Sequence, residues 1–114
     1  MKLQFNELED DIRLIKLIGA LDLSGRYSIE IEFVRKCAGE AVRVLVDLSE
    51  VDYISSIGVH MLITSASSVA KRGGKLALLT PQPGVLQVLE LTGVLQLIPI
   101  CSDLESAKAA VSAG

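Results

Sequence analysis

The run Val42-Arg43-Val44-Leu45-Val46 is apolar at four of its five positions, and three of those are β-branched. A strand of that composition has no face to offer water, so it belongs mid-sheet with helices covering both sides. The flanking segments can supply those helices. From about residue 24 to residue 37 the period turns helical, with Tyr27, Ile31, Val34 and Ala38 on one face, Phe33 and Cys37 beside it, and Gly39 as terminator. A longer helix is expected from Ser56 or Ile57 to Arg72. Its buried stripe would be Gly58, Val59, Leu62, Ile63, Ala66, Val69 and Ala70, and Gly73-Gly74 would stop it.

The remaining segments complete the sheet. Leu3 and Phe5 alternate with polar neighbours, and residues 12–18 follow a polar connection, so the two read as a hairpin. Residues 76–79 are another buried strand. Pro83 opens a short helix through Leu91 that Gly93 closes. Residues 97–100 read as an edge strand, because Pro99 cannot donate to a ladder. Ser102-Asp103-Leu104-Glu105 has the spacing of a capping box for a last helix reaching Ala113. The order β-β-α-β-α-β-α-β-α predicts a single α/β domain over residues 1–114, a mixed sheet of about four or five strands covered by about four helices. Length and composition agree. A chain of 114 residues that is 50% hydrophobic can bury roughly 65% of its unfolded surface and fold without staples.

Charge and rare residues narrow the function. Eleven Lys and Arg stand against 14 Asp and Glu, a formal charge of −3 with a pI of about 5.1. Nothing in that balance neutralises phosphates, so neither nucleic acid nor membrane is an expected partner. There is no Trp and only two Tyr and two Phe, too few for base-stacking platforms. Cys37 and Cys101 follow no ligand spacing and His60 is the single histidine, so no metal and no cofactor is expected. The cysteines read as small apolar side chains of a reduced, cytoplasmic protein. The first six residues lack the apolar stretch of a secretion signal, and charge interrupts every apolar run well short of a membrane span.

Enzyme chemistry does not emerge. The glycines form no phosphate-cradling strand-to-helix loop. Ser56 and His60, four apart at a helix start, could touch, but nothing marks a third group to orient the imidazole or an oxyanion pocket. Asp10 with Asp11, and Asp47 with Asp52, are explained by turns, capping and solvation.

The informative stretch runs from Asp47 to Gly58, read as a loop joining the central strand to the longest helix. Ser55 and Ser56 fall where unpaired backbone N–H groups and the positive end of the helix dipole lie. Either serine can serve as N-cap, and the same place tolerates a phosphate. Ile57 and Met61, with His60 between them, lie off the buried stripe and form a candidate contact patch or the packed flank of a buried helix.

With these residues in view, the chain resembles the STAS domain, and within it the small stand-alone anti-sigma factor antagonists. Gly19-Ala20-Leu21-Asp22 matches the family's Gly-x-Leu-Asp turn, and Asp47-Leu48-Ser49 its Asp-Leu-Ser. Tyr53-Ile54-Ser55-Ser56-Ile57-Gly58 matches the signature of an aromatic or apolar pair followed by Asp-Ser-Ser/Thr-Gly. Gly73-Gly74 and Leu89-Glu90-Leu91-Thr92-Gly93 also look like family features, so the resemblance spans nearly the whole chain. There are two departures. Ser55 stands where the family has aspartate, and Ile57 replaces its second hydroxyl residue.

The resemblance implies a partner switch. Ser56 occupies the phosphoacceptor position, and Asp22, Ser55, Ser56, Ile57, Gly58, His60 and Met61 are the expected partner-binding residues. The unmodified protein would bind an anti-sigma factor that is also a serine kinase, phosphorylation of Ser56 would release it, and a serine phosphatase would reset the cycle. A phosphoserine adds roughly −1.5 to −2 charges. One unit charge at ~6 Å, with an effective dielectric of ~20, is worth about 3 kcal/mol. That corresponds to roughly a hundredfold in affinity. The two departures fit an alternative as well, a non-phosphorylated STAS scaffold or accessory subunit of a transport or signalling complex.

Overall fold

A computed structural model describes residues 1–112. Five strands form one sheet in sequence order: β1 is Lys2–Glu7, β2 Ile12–Leu21, β3 Arg43–Ile54, β4 Lys75–Leu79 and β5 Ile100–Cys101. The helices are α1 Leu23–Cys37, α2 Ser56–Lys71, α3 Pro83–Leu91 and α4 Leu104–Ser112, with 3-10 turns at Glu9–Asp11 and Val94–Gln96. β1 is antiparallel to β2, and the other neighbouring pairs are parallel. The mixed α/β domain expected from the strand and helix periods is the observed fold. Ala113, the expected end of the last helix, lies outside the described residues.

The apolar run at 42–46 sits at the centre because both of its faces are covered. Ile15, Val46 and Leu78 lie side by side across β2, β3 and β4. They join Phe33 of α1, Leu62 of α2 and Leu89 of α3 in the larger core. Leu45, Ala77 and Leu79 belong to a second, smaller core with Ala107 and Val111 of α4. α1, α2 and α3 therefore cover one face of the sheet, and α4 covers the other.

Four local expectations change. Residues 47–54, expected to be loop, continue β3 as strand. Their polar groups are satisfied in place: the Asp47 carboxylate accepts from the Ser49 N–H at 2.9 Å, and Glu50 pairs with Lys16 of β2. Two register shifts let β2 follow to Leu21. Second, α1 faces the opposite way. Tyr27 and Ile31 are each 72% exposed and Val34 is 56% exposed, whereas Ile29, Phe33 and Cys37 are buried. α1 carries two apolar stripes, and Gly25 selects between them, because its bare Cα permits the contact with β2 described below. Third, the edge strand is only Ile100–Cys101; residues 97–99 precede it as a turn, with the Pro99 carbonyl accepting from the Leu78 N–H at 2.8 Å. Fourth, Asp103 rather than Ser102 caps α4, its carboxylate accepting from the Ser106 N–H at 2.7 Å. This hydrogen bond is the main cause that holds the Asp103 carboxyl below its usual value.

Two guanidinium groups tie down the far end of α1. Arg13 of β2 donates to the Lys36 and Ala38 carbonyls at 3.0 and 2.6 Å, and Arg72 donates to the Cys37 and Gly39 carbonyls at 2.8 and 2.9 Å. Cys37 and Cys101 are free thiols. Burial pushes the Cys37 thiol up to about 11 despite the two nearby arginines, so it stays protonated at neutral pH. Among the described residues no helix is long and apolar enough to cross a membrane. Nor does any group of three His, Cys, Asp or Glu among them sit where it could hold a metal.

Candidate functional site

β2 and β3 end level with each other, Leu21 opposite Ile54, and a helix follows each strand after a single intervening residue. The two departures use the same device. Asp22 caps α1, its carboxylate accepting from the Gly25 N–H at 2.8 Å. Ser55 caps α2, its hydroxyl accepting from the Gly58 N–H at 3.4 Å and donating to the Leu21 carbonyl at 3.4 Å. The Ser55 N–H donates to that same carbonyl at 3.1 Å. Each cap is thus followed three residues later by glycine.

Those glycines are there for proximity. A Cβ on Gly58 would stand 2.4 Å from the Leu21 carbonyl oxygen, and one on Gly25 would stand 2.0 Å from the Ala20 carbonyl oxygen. Both helix starts therefore press against the end of β2, which sets their N-termini at one rim of the sheet. Leu21 and Gly25 were absent from the expected site residues. The repeated spacing, Asp22-x-x-Gly25 and Ser55-x-x-Gly58, is the sequence signal that could have found Gly25; it does not mark Leu21.

The expected residues divide accordingly. Ser56 is exposed at the first position of α2, and no hydrogen bond among the described residues engages its hydroxyl. His60 is exposed one turn later, with no hydrogen bond joining it to Ser56 among the described residues. Ile57, Ser55 and Asp22 are half-buried, and Gly58 is buried. Met61 is a correction: it is 4% exposed and packs in the larger core, so it offers no free surface. Its place in the expected patch falls because the buried arc of α2 is rotated toward it: Gly58, Val59, Met61, Leu62 and Val69 are buried, whereas Ile63 and Ala66 of the expected stripe are half-buried and Ala70 is exposed. Leu23, 49% exposed, and Tyr53, 56% exposed, are the large apolar side chains left open where β2 and β3 end.

The electrostatics of this rim combine the Asp22 carboxylate at the start of α1 with the dipole of α2. α2 carries no charged residue before Lys71, so its unpaired N-terminal N–H groups supply the local positive potential. Arg26 of α1 is already engaged by Glu30 one turn on, at 3.2 Å. What the arrangement offers is an accessible hydroxyl at a helix start that favours negative charge, beside exposed apolar surface.

Comparison with known proteins agrees with this reading of the fold. The family model described as STAS domain matches residues 6–107. BtrV of Bordetella bronchiseptica, named as an anti-sigma factor antagonist, is 30% identical over 110 residues, which cover 96% of this chain and 94% of that one. Among solved structures, a STAS domain protein of Planctomyces limnophilus superposes with a TM-score of 0.84 at 18% identity, over 97% of this chain and 98% of that one. SpoIIAA in its unphosphorylated form gives a TM-score of 0.76 at 19% identity over 95% of each chain. In its phosphorylated form, described as a Bacillus cell fate determinant, it gives 0.70 at 18% over 95% of this chain and 98% of that one. The breadth of the family match and the near-complete mutual coverage with BtrV settle the affiliation: the chain belongs to the STAS domain family.

Proposed function

We propose that this chain is an anti-sigma factor antagonist, a partner-switching regulator that binds an anti-sigma factor serine kinase and is switched off by phosphorylation of Ser56. The observation that carries the proposal is the division of labour between two adjacent serines. Ser55 is spent on capping α2, and Ser56 stands exposed at the first helical position with its hydroxyl free of hydrogen bonds among the described residues. The names of BtrV and SpoIIAA, and the existence of SpoIIAA in a phosphorylated form, support the same reading. In this proposal the partner contacts Ser56, His60, Ile57 and the exposed Leu23 and Tyr53, with Asp22, Ser55 and Gly58 holding the helix starts in place. A serine phosphatase acting on the phospho-form completes the cycle.

The physics asks little of the protein. Phosphate at Ser56 lies against N–H groups that welcome it, while at a partner interface the same charge must be desolvated. The test combines phosphosite mapping of the protein from its native host with paired baits, wild type and Ser56→Asp, exposed to native lysate. Phosphate on Ser56 and a kinase captured by wild type but lost by Ser56→Asp are expected. Equal capture by both baits would sink the switch.

A non-phosphorylated STAS scaffold is the second reading, favoured by Ser55 and Ile57 standing where the family has an acid and a hydroxyl. It predicts no phosphate on Ser56 and a partner that both baits retain.

A further inference from the structure

Open α/β sheets bind small molecules beyond the carboxyl ends of their strands, where successive connections leave toward opposite faces. Such a divergence occurs here between β4 and β5. The chain leaving β4 passes to α3, whose Val85 and Leu89 belong to the larger core, and the chain leaving β5 passes to α4, whose Ala107 and Val111 belong to the smaller core on the other face. A groove of about 380 Å³ opens at that divergence, within the size range of small-ligand pockets.

Among the described residues four non-glycine residues have positive φ, Asp10, Asp11, Ala41 and Thr80, and of these only Thr80 is β-branched. Thr80, the first residue after β4, has φ +52, a left-handed conformation that a β-branched side chain rarely adopts. Its N–H donates to the Cys101 carbonyl at 2.8 Å, so the strained residue ties the ends of β4 and β5 together at the rim of the groove. Strain of this kind concentrates where a site is held in shape for a ligand.

The lining indicates what the groove would take. Leu86, Leu95 and Ile100 supply the apolar wall. Thr80 and Ser102 supply hydroxyls, and Glu90 supplies the single charge, with no Lys or Arg in the lining. Among the described residues, none of these three polar side chains is engaged in a side-chain hydrogen bond or ion pair. An anion would meet an unopposed carboxylate, whereas a cation would pair with it. We propose that the crevice between the ends of β4 and β5 binds a small amphipathic amine, its apolar body against Leu86, Leu95 and Ile100 and its ammonium group at Glu90. The site shares no residue with the Ser56 surface.

The experiment is an NMR titration of the folded, isotope-labelled chain with octylamine, octanoate and 1-octanol. Octylamine is expected to shift the amide signals around Thr80, Glu90, Leu95, Cys101 and Ser102 and to saturate, with the alcohol weaker and the carboxylate without effect. Glu90→Gln, at an exposed position, should weaken octylamine about fivefold, the size of an exposed ion pair. Leu95→Arg should abolish the shifts by placing a like charge in the groove. Absence of saturable shifts, equal binding of octanoate or 1-octanol, shifts centred elsewhere, or unaltered affinity in Glu90→Gln would each overturn the proposal. The titration involves no partner protein, so its failure is distinguishable from failure of the switch.

Discussion

Ser55 turns its hydroxyl between the Gly58 N–H and the Leu21 carbonyl, while Ser56, one residue on, leaves its own to solvent. The same closeness to β2 governs Gly58. Adding one methyl there forces it to within 2.4 Å of the Leu21 carbonyl oxygen, 2.8 Å of the Leu21 Cγ and 3.0 Å of an Ile54 carbon. Gly58→Ala should therefore cost about 1–3 kcal/mol in urea unfolding, the usual range for overpacking. A cost near zero would mean that α2 can move away from β2. Met61 and His60 are neighbours in sequence and opposites in burial. Met61→Ala should cost about 2–5 kcal/mol, a core truncation. His60→Ala should stay within about 0.5 kcal/mol of wild type, as exposed substitutions do. Comparable losses in the two variants would place both side chains in the core.

At the scale of elements, α1 separates what periodicity can and cannot decide. Its apolar residues recur on two arcs, one through Tyr27, Ile31 and Val34 and another through Ile29, Phe33 and Cys37, and hydropathy alone does not rank them. The decision is made by a backbone contact, Gly25 against the Ala20 carbonyl, which no hydropathy pattern contains. Phe33→Ala should cost about 3–5 kcal/mol, while Ile31→Gln should leave stability within about 0.5 kcal/mol, both read by urea denaturation. The reverse order would restore the other face. The long β3 has a similar history: Asp47, Ser49 and Glu50 look like loop residues until Lys16 and the backbone of the strand itself satisfy them. What was legible was the element order, the central strand and the hairpin, because these follow from local period. The cap of α4 was legible only to within one residue. Since Asp103 is held below its usual value near 3.8, its stabilising contribution is present at neutral pH and fades as pH falls through its folded value. Asp103→Asn, which keeps a cap but cannot titrate, should lose less thermal stability than wild type between pH 4 and pH 2. Parallel acid limbs would remove Asp103 from the account.

For the molecule as a whole, the question is whether a charge added at Ser56 stays local. Two features argue that it does. The Ser56 hydroxyl makes no hydrogen bond among the described residues, so esterifying it breaks nothing there. The N–H groups at the start of α2 then face an anion, a favourable placement worth about 0.3–1 kcal/mol. The underlying frame resists rearrangement, because β2 and β3 are hydrogen-bonded along their length and both helix starts bear on the end of β2. Ser56→Asp should accordingly keep its melting temperature within about 4–8 °C of wild type, the shift that ~1 kcal/mol produces in a domain near this size. Its amide spectrum should change only around residues 21–25 and 53–60, while affinity for the captured partner falls by roughly a hundredfold, the Coulomb cost of one unit charge at ~6 Å. If spectral changes instead reached α4 on the far face of the sheet, the switch would be conformational, and the partner would be reading a second shape of the domain in place of a charge.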